Sequence, residues 1–148
     1  MKRVFFLAAL ALCLGLVVVG CRSKTQTGEV GVSDAERLAF LNNHVYFDFD
    51  RYNIRPDQVS LINAKAGYLK INTSARVELD GYCDERGTEA YNNALADRRA
   101  KSVYNYLVDQ GISGTRMVTV SYGEENPADP GHNEAAWAKN RRVEFVLQ

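Results

Sequence analysis

Apolar and polar residues alternate in two stretches of the chain, and each stretch predicts a strand with one buried face. Val45, Phe47 and Phe49 alternate with polar or tyrosine side chains, and the same period of two runs through residues 75–83. Between these stretches, Pro56 suits a first helical turn, and apolar residues then recur at helical spacing. These residues are Val59, Ile62, Ala66 and Leu69. The pattern predicts a strand, a helix and a second strand.

The connection between the two strands predicts where their ends lie. A strand–helix–strand unit normally has parallel strands and a right-handed connection. Both strands then end at the same sheet edge, which receives Phe49 and Asp50 from the first strand and Asp84 from the second. Since ligands of open α/β sheets gather at the carboxyl ends of strands, we expect a binding site at this edge.

A long helix is predicted after the second strand. Thr88 can cap its start and Gly111 can end it. Asn92 and Asn93 are expected to break the helix, because asparagine competes for backbone hydrogen bonds. The main helix would then resume just after them, and Arg99 would lie near its beginning, close to the strand edge. The apolar stripe of this helix is Ala96, Ala100, Val103 and Leu107.

The last third of the chain predicts two more strands and a short helix. The strands are expected at residues 118–122 and 143–147, and the helix at residues 134–139. On the parity of the last strand, Arg141 leans toward the core and Arg142 points outward.

Residues 1–20 have the layout of a lipoprotein signal peptide. A basic start precedes an uncharged apolar run of about 16 residues, shorter than the roughly 20 that a spanning helix needs. The run ends at Val18–Cys21, which resembles a lipobox and implies a thioether-linked diacylglycerol and an acylated amino terminus on Cys21. An uncleaved membrane anchor is the alternative.

The segment after Cys21 is polar and predicts a mobile tether. Residues 22–32 have almost nothing to bury. Ser33 and Glu36 then make a capping box for a short helix. Fully extended, residues 22–43 would reach roughly 70 Å at about 3.3 Å each. The predicted organisation is a signal peptide at 1–20, a lipidated N-terminus and flexible tether at 21–43, and one domain at 44–148.

Charge composition argues against a nucleic-acid-binding protein. The chain has 18 Lys plus Arg and 18 Asp plus Glu. Without Lys2 and Arg3 of the signal, 16 basic residues face 18 acidic ones, a net charge of minus two. Binding to nucleic acid would require a clustered basic excess.

The three cysteines predict neither a disulfide nor a metal site. Cys13 leaves with the signal and Cys21 is blocked by lipid, so Cys83 has no intramolecular partner. Strand parity points Cys83 inward, as a small buried thiol. His44 and His132 show no zinc-ligand spacing with it, and no cofactor is predicted.

Three blocks of sequence, in the right order, resemble the OmpA-like domain family. Residues 81–107, GYCDERGTEAYNNALADRRAKSVYNYL, resemble its peptidoglycan-binding signature in the variant of the peptidoglycan-associated lipoproteins (Pal). Residues 45–57 match the first strand and turn, and residues 121–143 match the last loop, short helix and final strand. The departures are Tyr82, where these proteins often have His, and Cys83, where they often have Ala or Thr.

The resemblance implies a fold and a binding site. The implied fold is an α/β (α+β) two-layer sandwich, with a mixed sheet of about four strands and helices packed on one face. The implied ligand is the zwitterionic side-chain end of meso-diaminopimelate in peptidoglycan. Asp84 would accept from its ammonium and Arg99 would hold its carboxylate, while Phe49 and Asp50 would line the pocket.

The resemblance also implies a place in the cell and protein partners. The chain would be a non-catalytic lipoprotein of the outer membrane, with its domain facing the periplasm and tethering that membrane to the cell wall. TolB and other Tol proteins would be its partners, in envelope integrity and cell division.

The residues alone leave alternatives open. Asp84 and Arg99 could pair only with each other or with neighbours, as surface ions do for under about 1 kcal/mol. Arg86, Arg98 and Lys101 are expected to form a solvated face or to dock a protein. An enzyme acting on peptidoglycan is an alternative function, although no catalytic constellation can be proposed from spacing. An OmpA-like structural module without Tol partners is another.

Overall fold

The computed structural model describes residues 33–148. The predicted signal peptide, Cys21 and most of the predicted tether lie outside the described residues. Two short 3₁₀ turns, Pro56–Gln58 and Gly114–Arg116, lead into a helix and a strand. The helices and strands are α1 (Asp34–Asn42), β1 (Val45–Tyr46), α2 (Val59–Ile71), β2 (Val77–Gly81), α3 (Glu89–Asp109), β3 (Met117–Ser121), α4 (Glu134–Asn140) and β4 (Arg142–Leu147).

The four strands form one mixed sheet in the order β1-β4-β2-β3. β2 and β3 are parallel, and β4 is antiparallel to both β1 and β2. Since β1 and β2 are each antiparallel to β4, they run in the same direction, as predicted, with β4 between them. Their carboxyl ends therefore lie at the same edge of the sheet.

The helices pack on one face of the sheet and enclose the core. Close packing of α3 on β2 requires Gly81, because a Cβ there would lie 2.2 Å from the backbone oxygen of Ala96. This arrangement confirms the predicted two-layer α/β sandwich. Fully buried side chains of the core include Val45, Phe47, Ile62, Leu69, Leu79, Val103, Leu107 and Phe145.

Side-chain caps begin α1, α3 and α4. The predicted capping box of Ser33 and Glu36 is present, and Thr88 accepts from the backbone N–H of Tyr91 at the start of α3. Asn133 caps α4 in the same way. None of the helices within residues 33–148 combines the length and the apolar character that crossing a bilayer demands.

The predicted break in α3 is wrong. The helix runs without interruption through Asn92 and Asn93, so Arg99 lies near its middle. Asn92 does not compete for the backbone of its own helix, because its side-chain amide donates to the Asp84 carbonyl at 3.2 Å and to Glu124 at 2.6 Å. The Asn93 carbonyl accepts from Ser121 of β3 at 2.7 Å.

The first strand is shorter than predicted. β1 ends at Tyr46, and Phe49, predicted on its buried face, is 52% exposed. The chain turns away from the sheet here, since Asp50 has a φ of 54° in the left-handed region. Buried Phe47 is held by a bond from its N–H to the Arg141 carbonyl at 2.9 Å.

Arg142 points to the side of the sheet away from the helices, as predicted, but it is buried there at 4% exposed. The Tyr82 ring covers its guanidinium at 3.9 Å, and Glu144 accepts from it at 2.6 Å. Arg141 is buried toward the core side, as predicted.

Candidate ligand-binding site

A cavity of about 290 Å³ lies at the carboxyl end of β2. The four residues predicted for the site, Phe49, Asp50, Asp84 and Arg99, all line it. They come from the turn after β1, the loop after β2 and the middle of α3. Because β1 and β2 run in the same direction, the turn and the loop lie at the same edge of the sheet. The other lining residues are Cys83, Arg86, Gly87, Tyr91, Asn92 and Leu95.

Asp84 is a buried carboxylate held by two arginines. It is 3% exposed and accepts from the Arg86 side chain at 3.0 and 2.8 Å, and from Arg141 at 3.2 Å. Burial alone would raise its pKa, but the hydrogen bonds from Arg86 and Arg141 outweigh burial and lower the pKa of Asp84 below its ordinary value. Asp84 is therefore an ionised acceptor at neutral pH.

Arg99 is a buried cation that joins two segments of the chain. It is 1% exposed; its Nε donates to the Arg51 carbonyl at 2.8 Å, and its Nη2 donates to the Asp48 carbonyl at 3.1 Å. Its Nη1 donates to the Tyr82 carbonyl at 2.9 Å and contacts the Cys83 sulfur at 3.2 Å. These bonds tie the turn after β1 to the end of β2.

No ion pair of Arg99 occurs within residues 33–148. Burial lowers the pKa of the Arg99 guanidinium from its ordinary value, yet arginine stays charged in proteins. Asp84 pairs with its neighbours Arg86 and Arg141 rather than with Arg99. The carboxylate and the guanidinium thus line one cavity without neutralising each other.

The sequence suggested that Arg86 lies on a solvated face, but the structure places it elsewhere. Its guanidinium lies between the rings of Phe49 and Trp137, 3.9 and 4.1 Å from their centres, while it pairs with Asp84. Trp137 belongs to α4, far along the chain, so no local pattern indicated this contact. The expectation holds for Arg98 and Lys101, which are exposed.

Arg141 is a site residue whose role the sequence did not indicate. Besides Asp84, it donates to the Phe47 carbonyl at 3.0 Å and to Glu134 at 2.7 Å. It therefore fixes the position of the Asp84 carboxylate from the core side. The sequence does place Arg141 just before the final strand. Because β4 lies next to β2 in the sheet, this position brings Arg141 beside Asp84 at the end of β2.

Asp50 and Tyr91 form the rim of the cavity. Both are exposed, and the Tyr91 hydroxyl donates to the Asp50 carboxylate. Gly87, with a φ of 135°, shapes the loop between Asp84 and α3, in a conformation that favours glycine.

Cys83 is the buried thiol that strand parity predicted. It is in contact with Arg99 and with the Asn92 carbonyl at 3.3 Å. Burial raises the pKa of Cys83 to about 11, so the thiol stays protonated at neutral pH. Within residues 33–148, no group of three histidine, cysteine or acidic side chains is arranged to hold a metal ion.

Comparison with known proteins identifies relatives over most of the chain. Residues 46–141 match the profile of the OmpA family. The peptidoglycan-associated lipoprotein of Haemophilus influenzae is 50% identical over 101 residues, which cover 68% of this chain and 66% of that protein. The protein of the same name from Pseudomonas putida is 42% identical over 157 residues, covering 93% of each chain.

Solved structures share the fold. The crystal structure of the peptidoglycan-associated lipoprotein from Burkholderia pseudomallei is 42% identical, with a TM-score of 0.69, and the match covers 71% of this chain and 89% of that one. The C-terminal domain of Helicobacter pylori MotB, 23% identical with a TM-score of 0.65 over 72% of this chain and 84% of that one, shares the fold alone. The chain belongs to the OmpA family and, within it, groups with the peptidoglycan-associated lipoproteins.

Proposed function

We propose that this chain is a non-catalytic tether that binds peptidoglycan through the cavity at Asp84 and Arg99. The observation that carries the proposal is the charge arrangement: an ionised carboxylate and a guanidinium line one cavity and do not pair with each other. A small ligand with an ammonium and a carboxylate finds an opposite charge at each end. The names of the relatives support peptidoglycan as the source of that ligand.

The ligand group is the side-chain end of meso-diaminopimelate, which is a zwitterion. Its ammonium faces Asp84, and Asp50 offers a second carboxylate at the rim. Its carboxylate faces Arg99. The guanidinium of Arg99 has five N–H donors, and its contacts within the protein use all but one, which is available to the ligand. The ring of Phe49, half exposed at the cavity, covers the aliphatic part of the side chain.

Arg86 sets a condition on binding. It already donates to both oxygens of Asp84, so the ligand ammonium has to replace at least one of these bonds. The Arg86 guanidinium keeps other partners when this happens, because it also lies between Phe49 and Trp137 and 3.5 Å from Glu134.

Calorimetry with two stem peptides, one with meso-diaminopimelate and one with lysine, tests the proposal. Lysine ends in an ammonium only, so the remaining N–H of Arg99 gains no carboxylate acceptor. We expect wild type to bind the diaminopimelate peptide at least about tenfold more tightly, which requires only about 1.4 kcal/mol. Asp84→Asn keeps the side-chain shape but removes its charge, and should weaken binding of both peptides.

The matched control is Arg98→Ala, which removes an exposed arginine next to Arg99 but outside the cavity. It should bind both peptides as wild type does. Equal affinity of wild type for the two peptides, or undiminished binding by folded Asp84→Asn, would contradict the proposal.

We further propose that lipid on Cys21 holds the chain in the outer membrane, with the domain at residues 44–148 facing the periplasm. The Val18–Cys21 pattern and the word lipoprotein in the relatives' names support this anchoring. TolB and other Tol proteins are the expected partners, with a role in envelope integrity and cell division. The resemblance of residues 81–107 supports that part.

A further inference from the structure

The face of the sheet opposite the helices carries a mixture of acidic and apolar side chains. Successive side chains of a strand point to opposite faces, and the core positions of β2, β3 and β4 define the helix side. Val118 and Val146, on the other side, are 54% and 36% exposed. We call this side the outer face, formed by Glu78, Asp80, Tyr82, Val118, Val120, Tyr122, Arg142, Glu144 and Val146.

Asp80 lies at the centre of the outer face without a counterion. It is 5% exposed, and its Oδ1 has no hydrogen-bond partner. Glu144 lies directly opposite it on β4, and Glu78 lies two residues before it on the same face. Burial, followed by the charge of Glu78, a side-chain hydrogen bond with Glu78 and the charge of Glu144, raises the pKa of Asp80 to about 7.

The nearest cation on this side is already engaged. Arg142 donates to Glu144 at 2.6 Å and lies under the ring of Tyr82, which itself stacks on Tyr122. No ion pair of Asp80 occurs within residues 33–148. The Oδ1 of Asp80 lacks a hydrogen-bond partner among the described residues, and the raised pKa reflects the cost of ionising this carboxyl beside two other acids. A cation brought by a partner would favour the ionised form and bind Oδ1.

The acidic side chains of the outer face favour a basic protein segment over a second copy of the chain as its binding partner. A second copy of the chain would bring Glu78, Asp80 and Glu144 against the same three acids, and like charges in contact oppose association. A segment with an arginine supplies the missing cation, and apolar neighbours of that arginine can cover Val118 and Val146. Buried arginines and tyrosines are frequent at the energetic centres of protein interfaces.

We propose that the outer face is a docking surface for a basic protein segment, whose arginine binds Asp80 while flanking apolar side chains pack on Val118 and Val146. None of the outer-face residues lines the cavity at Asp84 and Arg99. The surface is therefore distinct from the proposed peptidoglycan site and goes beyond it. Both can be occupied at once.

The probe is a synthetic peptide of alternating valine and arginine, blocked at both ends, titrated into the isotope-labelled full chain in detergent micelles. We expect amide shifts confined to residues 78–82, 118–122 and 142–146. Asp80→Asn should weaken binding at least about tenfold, because it removes one partner of a desolvated charge pair. Val118→Lys, at an exposed position, should weaken binding by charge repulsion without a change in the core.

Two matched controls separate this surface from other acidic sites. Asp97→Asn removes a partly exposed acid on α3 that pairs with Lys101, and should bind the peptide as wild type does. The same peptide with glutamate in place of arginine should not bind. Unchanged affinity in both Asp80→Asn and Val118→Lys, shifts elsewhere on the domain, or self-association of the chain through this face would each overturn the proposal.

Discussion

At the scale of single residues, Arg99 and Arg86, the two arginines that line the cavity, differ in the groups to which they donate hydrogen bonds. Arg99 donates to three backbone carbonyls and contacts Cys83, so it supports the fold as well as the charge of the cavity. Arg86 donates to Asp84 and lies between two rings at the surface. Loss of Arg99 would leave the buried Tyr82 carbonyl and the partly buried carbonyls of Asp48 and Arg51 without this donor, whereas loss of Arg86 would leave these carbonyls satisfied.

Replacement of Arg99 by lysine tests the structural part of this role. Arg99→Lys keeps the charge, but a single ammonium cannot reach three carbonyls that a planar guanidinium reaches from different nitrogens. We expect a loss of at least about 2 kcal/mol in the free energy of unfolding, since buried acceptors lose their partners. Urea denaturation of wild type and variant measures this loss.

The control is Arg98→Lys, at the exposed neighbouring position, with an expected change within about 0.5 kcal/mol. If Arg99→Lys were as stable as its control, the carbonyl bonds of Arg99 would not contribute to the fold as argued.

The sequence predicted which charged residues meet, but not how they share their hydrogen bonds. Asp84 and Arg99 line one cavity, as the family resemblance implied, although the helix break that would have placed Arg99 near the strand edge is absent. The partners of Arg86 could not be predicted in this way. Trp137 reaches Arg86 only because α4 folds back beside the loop after β2, a contact set by tertiary packing.

At the scale of elements, periodicity predicted the strands and helices, and the errors come from tertiary contacts. β1 stops early because the chain turns at Asp50 and its carbonyls at Asp48 and Arg51 bind Arg99 instead of a strand. α3 continues through Asn92 because that side chain finds partners outside the helix. Both outcomes depend on residues distant in sequence, which local propensity does not register.

The contact between α1 and α2 depends on a buried lysine. Lys65 of α2 is buried, and its ammonium donates to the Phe40 carbonyl near the end of α1. It also lies 4.7 and 4.1 Å from the ring centres of Phe40 and Phe145. Burial lowers the pKa of Lys65 to about 7.

This shift predicts that stability depends on pH. An unfolded lysine titrates near 10.5, so between about pH 7 and about pH 10 the unfolded chain binds more protons than the folded one, and stability rises with pH. The charged lysine is most costly below about pH 7. Lys65→Met should therefore gain stability relative to wild type at about pH 6, and the gain should shrink by about pH 9.

Thermal denaturation of both proteins at the two pH values measures the difference. Lys70→Met, an exposed lysine at the end of the same helix, is the control and should show no such pH dependence. A difference between Lys65→Met and wild type that stayed constant with pH would show that Lys65 is not buried as a titrating group.

At the scale of the whole molecule, the position of β4 is what local patterns could not predict. The last strand of the chain inserts between β1 and β2, so the sheet is complete only when its final residues are in place. The same insertion brings Arg141 beside Asp84 and Arg142 beside Tyr82. Cavity and outer face therefore both depend on the C-terminal strand.

Packing of α1 on the domain shortens the reach of the predicted tether. Phe40 of α1 is buried, stacks on Tyr68 at 4.3 Å and meets the edge of Phe145 at 5.5 Å. Residues 22–32 are then the part that would separate the domain from the proposed lipid at Cys21. At about 3.3 Å each, they reach at most roughly 36 Å, about half the distance that the whole segment to residue 43 would allow.

The proposed membrane attachment through Cys21 and the proposed peptidoglycan binding by the domain can be tested separately by removing the lipid acceptor alone. Cys21 is the proposed lipid acceptor, while the proposed peptidoglycan site lies wholly within the folded domain. Cys21→Ser should therefore abolish acyl labelling and move the chain from the membrane fraction to the soluble fraction, because the acyl chains supply the membrane affinity. Binding of the released chain to purified sacculi should be unchanged.

Cys13→Ser is the matched control, because that cysteine belongs to the predicted signal and should not alter anchoring. Fractionation, acyl labelling and sacculus sedimentation of the three proteins give separate readouts of the two functions. If Cys21→Ser stayed membrane-bound with normal processing, the lipoprotein assignment would fail while peptidoglycan binding stood. If it left the membrane but lost its affinity for sacculi, the cavity would not be sufficient for binding, and the lipid-anchored end of the chain would have to take part.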